Sequence, residues 1–243
     1  MTKERSKADG ADDDPAPARR AGDRGRYGRL SRERVLASAL DLVDRDGLSA
    51  LSMRRLGAEL GVEAMALYRY AASKDALLDG LVEALHLELE ERLAAAPPRA
   101  DRRAELERIA RETYAVCLTH PQVVPLLSTR MLAVPLARRP LATLRHHERV
   151  IALLQEAGLD ADRSAAVFRA FTAWVLGYVS VELQAMVDSP DEPDPAFRLG
   201  LHHMPAQELP RLRAAAPSLA ERGGADGLAA GLDALLDRFT AGR

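Results

Sequence analysis

The sequence predicts an all-α fold: an N-terminal three-helix domain of helix-turn-helix form followed by a larger helical domain. Three observations lead there. Apolar residues recur at three- and four-residue intervals almost everywhere beyond Ser31, no stretch sustains period-two alternation, and Gly or Pro punctuates the chain where helices must stop. Ser31 is placed to cap the first helix, and Val35, Leu36, Ala39, Leu40 and Val43 form its apolar face before Gly47 ends it. Ser52 caps a short second helix with Met53, Leu56 and Leu60 inward; Gly61 permits a tight turn, and a third short segment runs from Glu63 to Tyr70. Ser73 caps the fourth helix, whose stripe of Leu78, Val82, Leu85, Leu89 and Leu93 continues to Ala95, where Pro97 and Pro98 stop it. Further helices are expected over 101–118, 121–127, 138–156, 161–187, 207–215 and 225–240, with a Pro-rich loop from Ser189 to Pro205.

Composition narrows the class. A chain of 243 residues, 47% hydrophobic and 29% charged, suits one or two ordinary globular domains. The single Cys117 excludes an internal disulfide and any multi-cysteine metal centre, and it fits a cytoplasmic protein. The N-terminus lacks the apolar core of a signal peptide, and the longest nearly continuous apolar run, Ala173 to Val179, is far below the ~20 residues that cross a bilayer. No membrane partner is therefore expected. The net charge of −2 hides an asymmetry: residues 19–75 carry 12 Arg and Lys against 8 Asp and Glu, so a small basic module suited to a polyanion precedes an acidic remainder. Residues 1–29 read as a disordered arm whose second half, with Arg19, Arg20, Arg24, Arg26 and Arg29, is either a solvated tail or a strap along a DNA groove.

The segment Leu51 to Asp79 carries the most specific pattern. Two short helices meet at a glycine-containing turn, Gly57 and Gly61 stand where the backbones must approach, and Leu56, Leu60 and Leu67 close the core behind an exposed face. This region, from Val35–Leu42 through Gly47-Leu48, Leu51–Gly57, Leu60-Gly61-Val62, Leu67-Tyr68 and Ser73-Lys74 to Leu77-Leu78, closely resembles the tetracycline-repressor (TetR) family of bacterial transcriptional regulators. A weaker resemblance to the branch holding the tetracycline repressor itself continues through Thr119-His120-Pro121, Leu176-Gly177-Tyr178 and Gly231–Asp237. The resemblance implies a homodimer that binds double-stranded operator DNA through residues 30–76, and holds a small, largely apolar effector and dimerises through residues 77–243. Function is then control of transcription, with repression relieved by the effector the first expectation and activation the alternative, without enzymatic activity or cofactor.

Residue roles follow from the matching positions. Arg54 falls where family members reach a base from the second helix, and its planar donor fork suits guanine; the other reading is a plain surface arginine. Ala64, Met65, Ala66 and Arg69 form the exposed face of the recognition helix, while Ser52, Tyr68, Tyr70 and Lys74 read as phosphate contacts. With no Gln, Asn or Thr at positions 64–66, base readout leans on Arg54, Arg69 and DNA shape.

In the larger domain, Phe171, Trp174 and Tyr178 stand at i, i+3 and i+7, a stripe that is either plain core or the wall of an effector pocket. Tyr114, Leu127, Met131 and His147 are the candidates facing it. Leu232, Leu235, Leu236 and Phe239 on the last helix, together with residues 163–187, are expected to build a four-helix dimer interface. No metal site is expected: His146-His147 and His202-His203 are adjacent pairs that point about 100° apart on a helix, and the positions matching the tetracycline repressor's metal ligands are Leu126 and Val181.

Overall fold

The computed structural model describes residues 30–183, 193–194, 197, 199–205 and 207–240, excepting the side chains of Met131, Leu132, Ala220, Phe239 and Thr240. The arginine-rich arm, the end of the helix expected to reach 187 and most of the Ser189–Pro205 loop lie outside the described residues.

Ten α-helices make up the unit Arg32–Arg243 among the described residues: α1 (Arg32–Asp46), α2 (Met53–Leu60), α3 (Ala64–Leu67), α4 (Lys74–Ala94), α5 (Arg102–Thr119), α6 (Val124–Ala133), α7 (Leu141–Glu156), α8 (Ala161–Leu183), α9 (Pro210–Ala220) and α10 (Gly224–Thr240). No strand occurs among these residues. Helix starts follow local chemistry. Ser52, Ser73 and Asp101 each accept a hydrogen bond from the backbone N–H three residues on, at 3.2, 3.0 and 2.9 Å, which satisfies one orphan donor of α2, α4 and α5.

Boundaries differ from expectation where proline decides. The stretch from 138 does not open α7; Pro140 is its N-cap, and Leu136–Arg138 forms a separate 3-10 turn. Likewise α9 starts at Pro210, with proline in the first turn where no N–H is needed, and α6 has Pro125 in that place. Beyond Leu127, α6 continues to Ala133, and the Thr129 hydroxyl donates back to the Pro125 carbonyl at 2.9 Å within that extension.

Helices α1, α2 and α3 form the N-terminal bundle around Leu42, Val43, Leu51, Leu56 and Leu67, all at most 1% exposed. Helix α4 packs on α1 and extends onward to contact α5, α6 and α7, while α8 lies against α5, α6, α7 and α10. By length and hydropathy α8 would suffice to cross a bilayer; here it is the helix that the others in the larger part pack around. A buried ion pair anchors the start of α5: Glu105 accepts from Arg108 Nη2 at 2.6 Å and Nε at 2.8 Å, and from the Arg99 backbone N–H at 2.8 Å. Burial alone would push the Glu105 carboxyl up, but these donors outweigh it and hold the group below its ordinary value.

Candidate functional site

Two places on the molecule carry the chemistry read from the sequence. The first is the α2–α3 face. Gly61 ends α2 in the left-handed region at φ 67°, which a residue without Cβ adopts without strain, and the chain enters α3 two residues later. Gly57 lets the two helices touch: a Cβ there would stand 2.8 Å from the Val62 carbonyl oxygen and 3.2 Å from the Ala64 nitrogen. Leu67 is fully buried beneath the turn, so Met65, at 77% exposed, and Tyr68, at 45%, project outward. The regular helix is shorter than the Glu63–Tyr70 expectation because Tyr68–Tyr70 close as turns, with the Tyr70 N–H donating to the Leu67 carbonyl at 2.8 Å. Ala64, Ala66 and Tyr70 are half-buried around this face, and Ser52, Arg54, Arg69 and Lys74 are exposed.

Ion pairing separates two kinds of arginine here. Arg55 binds Asp46 at 2.7 Å and Arg45 binds Glu59 at 2.6 Å, which ties α1 to α2. Arg54, Arg69 and Lys74 form no ion pair among the described residues, so their charge is available to an external anion. Lys74 is also the first residue of α4, just after the Ser73 cap, where the free N–H groups add to the positive potential.

The second place is a cavity between α4, α5, α6, α7 and α8. Leu85, His86 and Leu89 of α4 form one wall, and Thr113, Val116 and Cys117 of α5 another. Leu127, His146 and His147 close it from α6 and α7, and α8 contributes Phe171, Thr172, Val175 and Leu176. No charged side chain lines it among the described residues. Burial pushes the Cys117 thiol up to about 12 and, chiefly by the same cause, the imidazoles of His146 and His147 down to about 3 and about 4, so the lining is neutral near pH 7.

Of the residues expected at an effector pocket, the structure brings Leu127, His147 and Phe171 together on this cavity and places three others elsewhere. Trp174 Nε1 donates to the Leu228 carbonyl at 3.0 Å and the Tyr178 hydroxyl to the Gly224 carbonyl at 2.9 Å, so both side chains bolt α8 to α10. Tyr114 donates to Glu182 at 3.3 Å beside Tyr178. The Met131 side chain lies outside the described residues. At 100° per residue, Trp174 and Tyr178 stand on the α10 side of Phe171, whereas Thr172 and Val175 stand on the cavity side, so the aromatic stripe divides at Phe171. His86 and His146 belong to the lining; sequence reasoning passed over His86 and weighed His146 only for a metal, and the available signal was His86, a polar residue inside the apolar α4 stripe between Val82 and Leu89.

On the last helix, Leu232 and Leu236 are 0% and 5% exposed in the single chain, packed inward where α10 meets α5 and α8, with Leu235 half-buried. The Phe239 side chain lies outside the described residues. The outward faces are instead small: Ala173, Gly177 and Val181 on α8, Ala230 and Ala234 on α10. No group of three or more His, Cys, Asp or Glu residues is placed to hold a metal among the described residues. Leu126 is buried, Val181 is exposed, and Glu182 is engaged by the Gly223 and Gly224 N–H groups at 3.0 and 3.2 Å.

Comparison with known proteins agrees with both halves. Residues 35–81 match the bacterial regulatory proteins of the tetR family, and residues 94–241 match the tetracyclin repressor-like C-terminal domain. The chain belongs to the TetR family. An HTH-type transcriptional regulator of Saccharopolyspora erythraea is 33% identical over 153 residues, covering 63% of this chain and 61% of that relative. The HTH-type transcriptional repressor DrrR1 of Streptomyces coeruleorubidus is 32% identical over 154 residues, 63% of this chain and 54% of that one. The chain therefore aligns with little more than half the length of either TetR relative. Among solved TetR-family structures, ActR of Streptomyces coelicolor in complex with actinorhodin is 25% identical with a TM-score of 0.69, covering 88% of this chain and 98% of ActR.

Proposed function

We propose that the protein is a sequence-specific DNA-binding repressor that works as a homodimer and leaves its operator when a small, largely apolar effector enters the α4–α8 cavity. The observation that carries this reading is the position of α4. Lys74 opens the helix beside the recognition face, and Leu85, His86 and Leu89 of the same helix wall the cavity. From Lys74 to His86 is 12 residues, about 18 Å along one rigid rod. Displacement at the wall moves the DNA-contacting end, and the effector releases the operator to the extent that it binds the displaced state more tightly.

The DNA module is taken as residues 30–76 and the effector and dimerisation module as 77–243, with Arg54, Arg69 and the exposed side of Ala64–Ala66 toward base edges and Ser52, Tyr68, Tyr70 and Lys74 toward phosphates. Two copies pairing through the outward faces of α8 and α10 would present two recognition faces to half-sites about one helical turn apart. The small Ala173, Gly177 and Val181 face supports close helix approach in that dimer. Such a protein acts in the cytoplasm, where its DNA is. DrrR1 is named a repressor and ActR is seen with a small molecule bound, which supports the same class for this chain.

The test is fluorescence anisotropy of the purified protein with labelled DNA from the region flanking its own gene, against a scrambled control and across a salt titration. Preferential, salt-sensitive binding by a dimer is expected. Equal affinity for every upstream segment and for scrambled DNA would overturn the reading.

A further inference from the structure

The cavity wall specifies more than an apolar ligand, and the specification comes from one imidazole. His86 Nδ1 lies 2.8 Å from the Val82 carbonyl oxygen, one turn back on α4. A carbonyl only accepts, so Nδ1 carries the hydrogen and donates. This fixes the tautomer: Nε2, on the other edge of the ring, bears a lone pair and has no hydrogen-bond partner among the described residues. Thr143 Oγ1, at 3.3 Å, is on the Nδ1 side as well and leaves Nε2 open.

The surroundings decide the charge of the ligand. His86 and His146 lie 5.4 Å apart between ring centroids with their planes tilted by 60°, and His147 packs edge-on to Phe168 at 4.9 Å. Nδ1 of both His146 and His147 is buried without a partner among the described residues, so the wall holds unmet hydrogen-bonding capacity. Among the described residues, the lining offers neither a carboxylate to a cation nor a guanidinium or ammonium to an anion. An ion entering it would lose its hydration with no countercharge in contact, a cost that a neutral molecule avoids.

We propose that the cavity selects an uncharged molecule carrying a hydroxyl or N–H group that donates to Nε2 of His86. The inference rests on the reading of the cavity as the effector site and names the chemical class that site takes.

Three fluorescent probes of one shape test it: 9-anthracenemethanol, 9-methylanthracene and 9-anthracenecarboxylate, titrated into the full-length protein. The alcohol should bind about tenfold tighter than the methyl compound, the worth of one well-made hydrogen bond, and at least tenfold tighter than the carboxylate. In His86→Phe the preference for the alcohol should fall to within about twofold while 9-methylanthracene binding persists, which shows the cavity intact. A preference unchanged in His86→Phe, a carboxylate that binds as tightly as the alcohol, or a wild-type protein that takes up none of the probes would overturn the proposal. Long-range 1H–15N correlation on the wild-type protein tests it without a variant: His86 should be the Nδ1–H tautomer and its Nε2 resonance should move with the alcohol and not with 9-methylanthracene, whereas an Nε2–H tautomer refutes it. DNA anisotropy with the alcohol present separates the two claims. Tight, His86-dependent binding that leaves DNA affinity unchanged supports the ligand class and overturns the effector reading of the cavity.

Discussion

Replacing Gly57 by alanine should damage DNA binding more than it damages the fold. The added methyl would lie 2.8 Å from the Val62 carbonyl oxygen, 3.2 Å from the Ala64 nitrogen and 3.4 Å from the Ala64 Cα, all backbone atoms of the turn into α3. None can rotate aside, so α3 must move away from α2. Overpacking of this kind costs about 1–3 kcal/mol, while alanine for glycine inside a helix returns about 1 kcal/mol. The net loss of stability is therefore about 0–2 kcal/mol, a fall in Tm of no more than about 8 °C for a chain of this size. The displaced face carries Met65 and its neighbours, and misplacing a side chain that reads a base costs about 1–3 kcal/mol, so affinity for the operator should fall about 10- to 100-fold. Gly61→Ala is the control. There φ is 67° and no atom lies within 4 Å of the added methyl, so the variant suffers only left-handed backbone strain of about 1–2 kcal/mol and leaves α3 in place. Thermal melts and DNA anisotropy on both variants decide the matter: Gly57→Ala with wild-type affinity, or DNA losses that merely track stability in both, would refute the argument that α2–α3 contact positions the recognition face.

Arg54→Ala should lower operator affinity and relax preference at one base pair, whereas Lys74→Ala should weaken all sequences alike and reduce the slope of log affinity against log salt by about one; competition binding across single-base operator variants reads both. Acidification should destabilise the fold through His146 and His147, whose folded values are depressed to about 3 and about 4. Between about pH 6 and pH 4 the unfolded chain binds protons that the folded chain refuses, so stability falls by up to about 1.4 kcal/mol per pH unit for each ring, and denaturant melts of His146→Phe and His147→Phe should show a shallower pH dependence. Glu105→Ala should cost about 3–5 kcal/mol in denaturant unfolding because it leaves Arg108 buried without its partner. His120→Ala should cost about 1.5–3 kcal/mol, since the ring bonds Asp44 at 2.6 Å and Glu88 at 2.7 Å and so joins the end of α5 to both α1 and α4.

The helix-turn-helix was legible from the sequence because its constraints are local. Ser52 and Ser73 cap within three residues, Gly61 needs its left-handed turn, and Leu56 and Leu67 must face inward whatever the rest of the chain does. The cavity was half legible. Its composition from a helix bundle could be anticipated, and Leu127, His147 and Phe171 were reachable from the pattern, but periodicity places a residue on a face without saying which neighbour that face meets. Trp174 differs from Phe171 by about 60° of rotation on α8, and that angle decides between α10 and the cavity. The same ambiguity applies to Leu232 and Leu236: an apolar stripe on the last helix fits an intramolecular core as well as a dimer interface, and burial against the chain's own α5 and α8 takes up those side chains. His86 was the hardest to read, because its meaning depends on the cavity that α5 and α8 complete around it.

The helices around the cavity are not held with equal firmness, and this bears on which one can respond to a ligand. Helix α8 is locked to α10 by Trp174 and Tyr178, whose indole and phenol donate to backbone carbonyls and whose rings fill space against Gly231 and Gly227 that no Cβ could share. Moving α8 means breaking close-packed aromatic contacts, for which water offers no substitute. Helix α4 combines a buried apolar stripe, Leu77, Leu81, Leu85, Leu89 and Leu93, with polar ties: Arg130 of α6 to Asp79 at 2.6 Å, His120 to Glu88, and Arg92 to Thr119 at 3.4 Å. The exposed tie of Arg92 to Thr119 exchanges with water at small net cost, and the other two are worth more. On the proposed reading, a ligand against Phe171 and Val175 on one wall and Leu85 and Leu89 on the other would work on the α4 side. On the effector reading proposed above, that is the wall continuous with Lys74, and displacement of α4 would run toward the end assigned to DNA.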